Sequence, residues 1–283
     1  MADRIVITGA GGQVGRFLAR EAAARGRDVL ALTSAQWDIT DPQAAAGIVA
    51  SGDVVVNCAA YTAVDDAERE PERAHAVNAT GAGNVARGCA QAGARMIHIS
   101  TDYVFSGAFD GAPHPYDVDD ATGPLSVYGD TKLAGEQAVH QALPHAHVVR
   151  TAWVYTGVGS DFVGAMRRLA AGEDTVNMVD DQIGSPTYSG DLVAALLEIA
   201  ERPAAPPLLH IANDGAASRF EQARAVFEGV GADPERVRPV SSDDAPRPAA
   251  RPPYSALSGR AAMEAGLTPL RPWRQALAEA ISR

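Results

Sequence analysis

The chain has 283 residues, 46% of them hydrophobic and 21% charged, with a formal net charge of −11. That length supports one large domain, or a domain with a smaller lobe, and the composition is that of a soluble globular protein. The acidic balance argues against nucleic acid or an anionic membrane surface as partner, and no apolar run is long enough to span a bilayer.

In chain order, Arg4-Ile5-Val6-Ile7-Thr8 is a short β-branched run of the kind buried on both faces of a parallel sheet. The chain enters this strand without a basic-then-apolar leader, so the expected location is cytoplasmic. Gly9, Gly12 and Gly15 follow at G-x-x-G-x-x-G spacing, and residues 17–22 have helical propensity with an apolar face. Strand, glycine turn, helix is the context of a dinucleotide site. Glycines permit a tight turn and close approach of a pyrophosphate, and the helix N-terminus offers N–H groups. The plainer reading is an ordinary turn between strand and helix.

Further strands are expected at 28–32, 53–60, 95–100 and His147–Thr151, with Ala-rich helices near 72–92 and 128–143. This alternation predicts an α/β fold with a doubly wound parallel sheet. Beyond residue 155 the rhythm loosens, with helices near 161–171, 190–201 and 218–229 and a strand at 208–211. The expected division is a dinucleotide-binding domain over 1–152, rejoined by segments about 185–212, and a smaller substrate-binding lobe over 153–283. Cys58 and Cys89 lie in apolar contexts and are expected to be reduced. The seven histidines are dispersed without metal-ligand spacing, so no catalytic metal is expected. No G-x-S-x-G elbow or P-loop lysine is present, which removes hydrolase and kinase readings.

Tyr128 and Lys132 are four residues apart in a stretch expected to be helical, so phenol and ammonium share a face. A nearby ammonium favours tyrosinate, and lowering the phenol pKa by about three units corresponds to roughly 4 kcal/mol. Taken alone, the pair is as well read as chance on a solvated helix. The strand at 95–100 delivers Ser100 and Thr101 to its carboxyl end, where a hydroxyl beside a phenol can hold a substrate carbonyl for protonation. A strand-end hydroxyl capping its own backbone is the simpler alternative.

Five blocks together narrow the reading: Asn57–Asp65, Ser100–Phe105, Tyr128–Glu136, Arg150–Tyr155 and Asp181–Thr187. In this order they resemble the signatures of the dTDP-4-dehydrorhamnose reductases, within the extended short-chain dehydrogenase/reductase family. The resemblance implies a Rossmann domain and NAD(P)H-dependent reduction of the C4 ketone of dTDP-4-dehydro-L-rhamnose to dTDP-L-rhamnose. It implies Tyr128 as proton donor, Lys132 as holder of the nicotinamide ribose, and Thr101 as partner of the carbonyl oxygen. By the same resemblance Gly12, Gln13 and Val14 meet the pyrophosphate, Asp38 and Ile39 the adenine, and Ala60, Tyr61 and Thr62 the cofactor ribose and phosphates, while Gly9 and Gly15 complete the cofactor-binding glycine turn. Asp102, Tyr103 and Trp153 would contact the sugar nucleotide; core packing is the other reading of Trp153.

Where many dinucleotide folds carry an acidic residue for the ribose 2′-hydroxyl, this chain has Thr33-Ser34. With Arg16 placed to pair with a 2′-phosphate, NADPH is expected to serve at least as well as NADH. Some members of the family dimerise through a metal held by glutamates. The matching positions here are Phe17 and Gly190, so a monomer or a dimer without bridging metal is expected. The alternatives are a 4-ketoreductase or epimerase acting on a related nucleotide deoxysugar, or a non-catalytic NADP-binding regulatory subunit.

Overall fold

The structure is a computed structural model describing residues 4–282. Six strands, β1 (Ile5–Thr8), β2 (Val29–Ala31), β3 (Val54–Asn57), β4 (Arg95–Thr101), β5 (His147–Thr151) and β6 (Leu208–His210), form one sheet in the order β6-β5-β4-β3-β1-β2. Every pairing in it is parallel. The longer helices are α1 (Gln13–Ala24), α2 (Ala82–Ala92), α3 (Val127–Ala142), α4 (Phe162–Ala170), α5 (Ser189–Glu201), α6 (Arg219–Gly229) and α7 (Trp273–Ser282).

The period of two along β1 sends Ile5 and Ile7 to one face and Val6 to the other. The first face packs with Leu18 of α1 and Leu192 and Leu196 of α5; the second packs with Val85 and Cys89 of α2 and Val139 of α3. Both faces are covered, so β1 and β3 read as nearly unbroken apolar runs. Strand order reverses between β1 and β3, which opens a crevice at their carboxyl ends.

The helix expected over 72–92 is not uniform. It runs Pro71–His75, widens into a π-helical turn at Ala76–Gly81, and resumes as α2. Such turns gather at functional sites. Here the turn presents buried Asn78, which accepts from Tyr61 N at 2.8 Å and donates to Tyr61 O and Thr131 Oγ1, both at 3.1 Å. The loop after β3 is thereby stapled to α3. Asn78-Ala79-Thr80 has the form of a glycosylation sequon, but the Asn78 amide is committed to this packing.

A second core gathers Tyr155, Val163 and Met166 with Tyr188, Phe227, Trp273 and Leu277. Around it are short strand pairs, Val154–Tyr155 with Thr187–Tyr188, Val176–Val179 with Val237–Val240, and Ile183–Gly184 with Ala217–Ser218. Among the described residues no helix is long and apolar enough to cross a membrane, and Cys58 and Cys89 are free thiols.

Candidate active site

The glycine turn presses against the end of β3. Gly9 has φ +61°, and a Cβ there would stand 2.6 Å from Ala59 N; a Cβ on Gly15 would stand 2.4 Å from Gly9 O. Gly12 begins α1 with no side-chain cap, and no acidic residue occupies the first turn, so the positive helix end faces the crevice. Two cavities meet there, sharing Gly12, Cys58 and Ala60.

The first, of about 360 Å³, takes in Gly9, Thr33, Ser34, Asp38, Ile39 and Tyr61. The Asp38 carboxylate accepts from Thr40 N and Oγ1 at 2.9 and 2.8 Å, and these bonds hold its pKa below the usual carboxylate range. The second, of about 340 Å³, brings together Thr101, Tyr128 and Lys132 with Gln13, Val14, Thr62, Asp102 and Trp153. Gln13 Nε2 donates to Val154 O at 3.1 Å, tying the glycine turn to the wall opposite α3. Thr151 Oγ1 also lines this cavity and is buried without a hydrogen-bond partner, as fits a position that meets a ligand.

The start of α3 is fixed by Ser126, whose hydroxyl accepts from Gly129 N at 3.2 Å. Neither side of the catalytic turn has room for a methyl group. A Cβ on Gly129 would stand 2.2 Å from Tyr103 O, and one on Gly135 would stand 2.1 Å from Asn78 O. The Tyr128 phenol is hydrogen-bonded to Thr101. Thr101 Oγ1 donates to Asp102 Oδ1 at 3.1 Å, and Ser255 Oγ donates to Asp102 Oδ2 at 2.6 Å. Burial pushes the Asp102 carboxyl up to about 6 against the pull of these two bonds. Lys132 Nζ donates to Ile99 O at 2.6 Å. Its burial pushes the ammonium down to about 8, opposed by the charges of Glu136 and Cys58.

Several expectations need correction. The phenol is not acidified: burial raises its pKa, the charges of Asp102 and Tyr103 add to that, and the Thr101 bond only partly offsets them. Sharing a helix face did not make the Lys132 ammonium one of the charges that shift the phenol; Nζ donates to the Ile99 carbonyl. Arg16 is exposed and faces another cavity, lined by Phe17, Arg20, Thr156 and Tyr188, away from Thr33 and Ser34. The arginine on the Thr33–Ser34 cavity is Arg73. Tyr103 is not part of the cavity wall; it packs edge-on against Tyr128, with centroids 5.8 Å apart, and bonds Arg251. Ser100 lines the cavity, but its hydroxyl turns away to Glu136 Oε1 at 2.5 Å.

Sequence reasoning also missed the support beneath Lys132. Glu136 accepts from Arg150 Nε at 2.9 Å and Nη2 at 2.7 Å, with both side chains buried. Arg150 Nη1 lies 3.5 Å from His210 Nε2, and burial keeps that imidazole neutral, its pKa down to about 4. Glu136 continues the i, i+4 series from Tyr128 and Lys132, a signal present in the sequence. Its partner on β5 was not.

A family model described as the RmlD substrate binding domain matches residues 3–283. The chain is similar to the dTDP-4-dehydrorhamnose reductase of Mycolicibacterium smegmatis, with 65% identity over 100% of this chain and 86% of that protein. It is similar to the protein of the same name from Mycobacterium tuberculosis strain H37Rv, with 62% identity over 99% of this chain and 93% of that one. Among solved structures, it resembles the dTDP-4-dehydrorhamnose reductase of Bacillus anthracis in complex with NADP, with TM-score 0.93 and 35% identity over 100% of this chain and 99% of that chain.

Proposed function

The chain belongs to the RmlD substrate binding domain family, and on that premise we propose that it reduces the C4 ketone of dTDP-4-dehydro-L-rhamnose to dTDP-L-rhamnose, using NADPH and accepting NADH. The observation that carries this reading is the convergence of Thr101, Tyr128 and Lys132 on a cavity continuous with the glycine-lined cleft.

The residues present fit a nicotinamide dinucleotide. The Gly9–Gly15 turn leaves no room for side chains and ends at an uncapped helix N-terminus, which suits a pyrophosphate also touched by Gln13 and Val14. Asp38 and Ile39 would border the adenine, Ala60, Tyr61 and Thr62 the ribose and phosphates, and Lys132 the nicotinamide ribose. Thr33 and Ser34 bring no carboxylate to repel a 2′-phosphate. When bound, the cofactor supplies the hydride.

The protein's own part is proton delivery and positioning. A phenol with a raised pKa is fully protonated at neutral pH, which is the form a proton donor to the ketone oxygen must have. Thr101 bonds that phenol and stands ready to share the same oxygen. Lys132, one turn along α3 with its ammonium held by the Ile99 carbonyl, positions the nicotinamide ribose beside the phenol. Asp102 and Trp153 border the sugar, with Tyr103 packed behind Tyr128. Residues 1–152 serve mainly the dinucleotide and 153–283 mainly the sugar nucleotide. We further propose a cytoplasmic protein, monomeric or dimeric without a bridging metal. Phe17 and Gly190 offer no ligand, and no cluster of three His, Cys, Asp or Glu occurs among the described residues.

The direct test is NADPH oxidation, followed by absorbance, with dTDP-4-dehydrorhamnose as substrate. Turnover to dTDP-L-rhamnose is expected; NADPH binding without oxidation would leave a regulatory protein instead. The pH profile of kcat/KM adds a second check. Asp102 becomes a carboxylate as pH rises through about 6, and Lys132 loses its charge as pH rises through about 8. Activity is therefore expected to climb through the first value and fall through the second. A profile level to pH 10 would remove Lys132 from its role.

A further inference from the structure

Trp153 is the one non-glycine residue with positive φ, 45°, among the described residues. Such backbone is costly for a bulky side chain and persists where the surroundings over-determine it. Those surroundings can be named. The indole edge lies where a Cβ on Gly184 would stand 2.4 Å from Cε2 and 2.6 Å from Nε1, so any larger residue there would displace the ring. Over the ring face lies the Arg219 guanidinium, its carbon 3.5 Å from the ring centroid, and the same group stands 5.0 Å from the Phe162 centroid.

Arg219 is the first residue of α6, an unfavourable place for a cation beside the positive end of a helix. Its root is held there by a reciprocal capping box between Ser218 and Glu221, and its Nη1 donates to Gln222 Oε1 at 3.2 Å. The charge is compensated by the aromatic face and by Asp102 and Tyr103. A cation that works against its own helix and closes on a strained residue of the catalytic cavity has a use outside the helix.

We propose that Arg219 is a positioning residue for the sugar step, clamping the Trp153 indole against Gly184 and so fixing the wall that sets the ketone's distance from Tyr128. The planar guanidinium suits this task, and a lysine ammonium would not stack in the same way. The inference rests on the proposed function, in which Trp153 borders the sugar.

The test is a double-mutant cycle of Arg219→Leu with Trp153→Ala, reading KM for dTDP-4-dehydrorhamnose, kcat, and NADPH affinity by fluorescence titration. Arg219→Leu is expected to raise the sugar-nucleotide KM roughly tenfold, the larger part of the effect, with NADPH affinity within about twofold of wild type. Arg219→Lys is expected to recover little of that loss. In the Trp153→Ala background the Arg219 substitution should add nothing. Independent effects in the cycle, or an unchanged KM, would overturn the clamp. Should Arg219→Leu not fold, Gly184→Ala pushes the same indole from its other side with Arg219 intact, and must raise the same KM. Calorimetric binding of dTDP-L-rhamnose should rank the variants identically without turnover. A wild-type protein that neither binds nor turns over these nucleotides would instead defeat the proposed function.

Discussion

Replacing Tyr128 by phenylalanine is expected to lower kcat by about 10²–10⁴-fold, the usual worth of a positioned general acid. The substitution removes one oxygen and leaves the ring, so the edge-on contact with Tyr103 at 5.8 Å persists and the wall keeps its shape. KM for NADPH should stay within about twofold, because the phenol supplies a proton and little binding. Single-turnover and steady-state rates at pH 7 check this. A loss below about tenfold would mean that the ketone oxygen takes its proton elsewhere. The hydroxyls of Thr101 and Ser255, joined through Asp102, would be the next source to examine.

Replacing Glu136 by leucine is expected to cost about 3–5 kcal/mol of unfolding free energy. The side chain is buried and accepts two bonds from Arg150 and one from Ser100. Its loss strands a buried guanidinium without its carboxylate, with His210 neutral and unable to compensate. Removing both charges with Glu136→Leu and Arg150→Leu should be milder than the single change, since two apolar side chains then face each other. Urea denaturation of the two variants decides the matter. Equal losses would show that the pair acts only as packing.

Strands β1 and β3 were legible because each is a short, nearly uninterrupted apolar run, and burial on both faces favours such runs. The glycine spacing and the Tyr128–Lys132 interval pointed to residues that line the two joined cavities, since both are short-range geometry that the chain fixes by itself. The direction of the Tyr128 pKa shift was not legible. It depends on how completely the cavity excludes water, a property of elements far apart in sequence. Arg16 misled because nearness to the glycine turn says nothing about the side of α1 on which a residue emerges. Glu136 was visible, but its meaning required Arg150 on β5 to lie beside β4. The two- to four-residue strands around the second core have no period to detect. Helix α7 did carry one, with Trp273, Ala276, Leu277 and Ala280 buried at i, i+3, i+4 and i+7, and it was passed over behind a proline-rich approach.

Main chain rests directly on main chain at Gly129 and Gly135, and contacts of that kind have no rotamers through which to yield. The jaw bearing phenol and ammonium is thus an anvil of backbone, whereas the opposite jaw is made of side chains, the Trp153 indole and Arg219. Under the proposed function, retuning which sugar is accepted should begin with those side chains, leaving the anvil untouched.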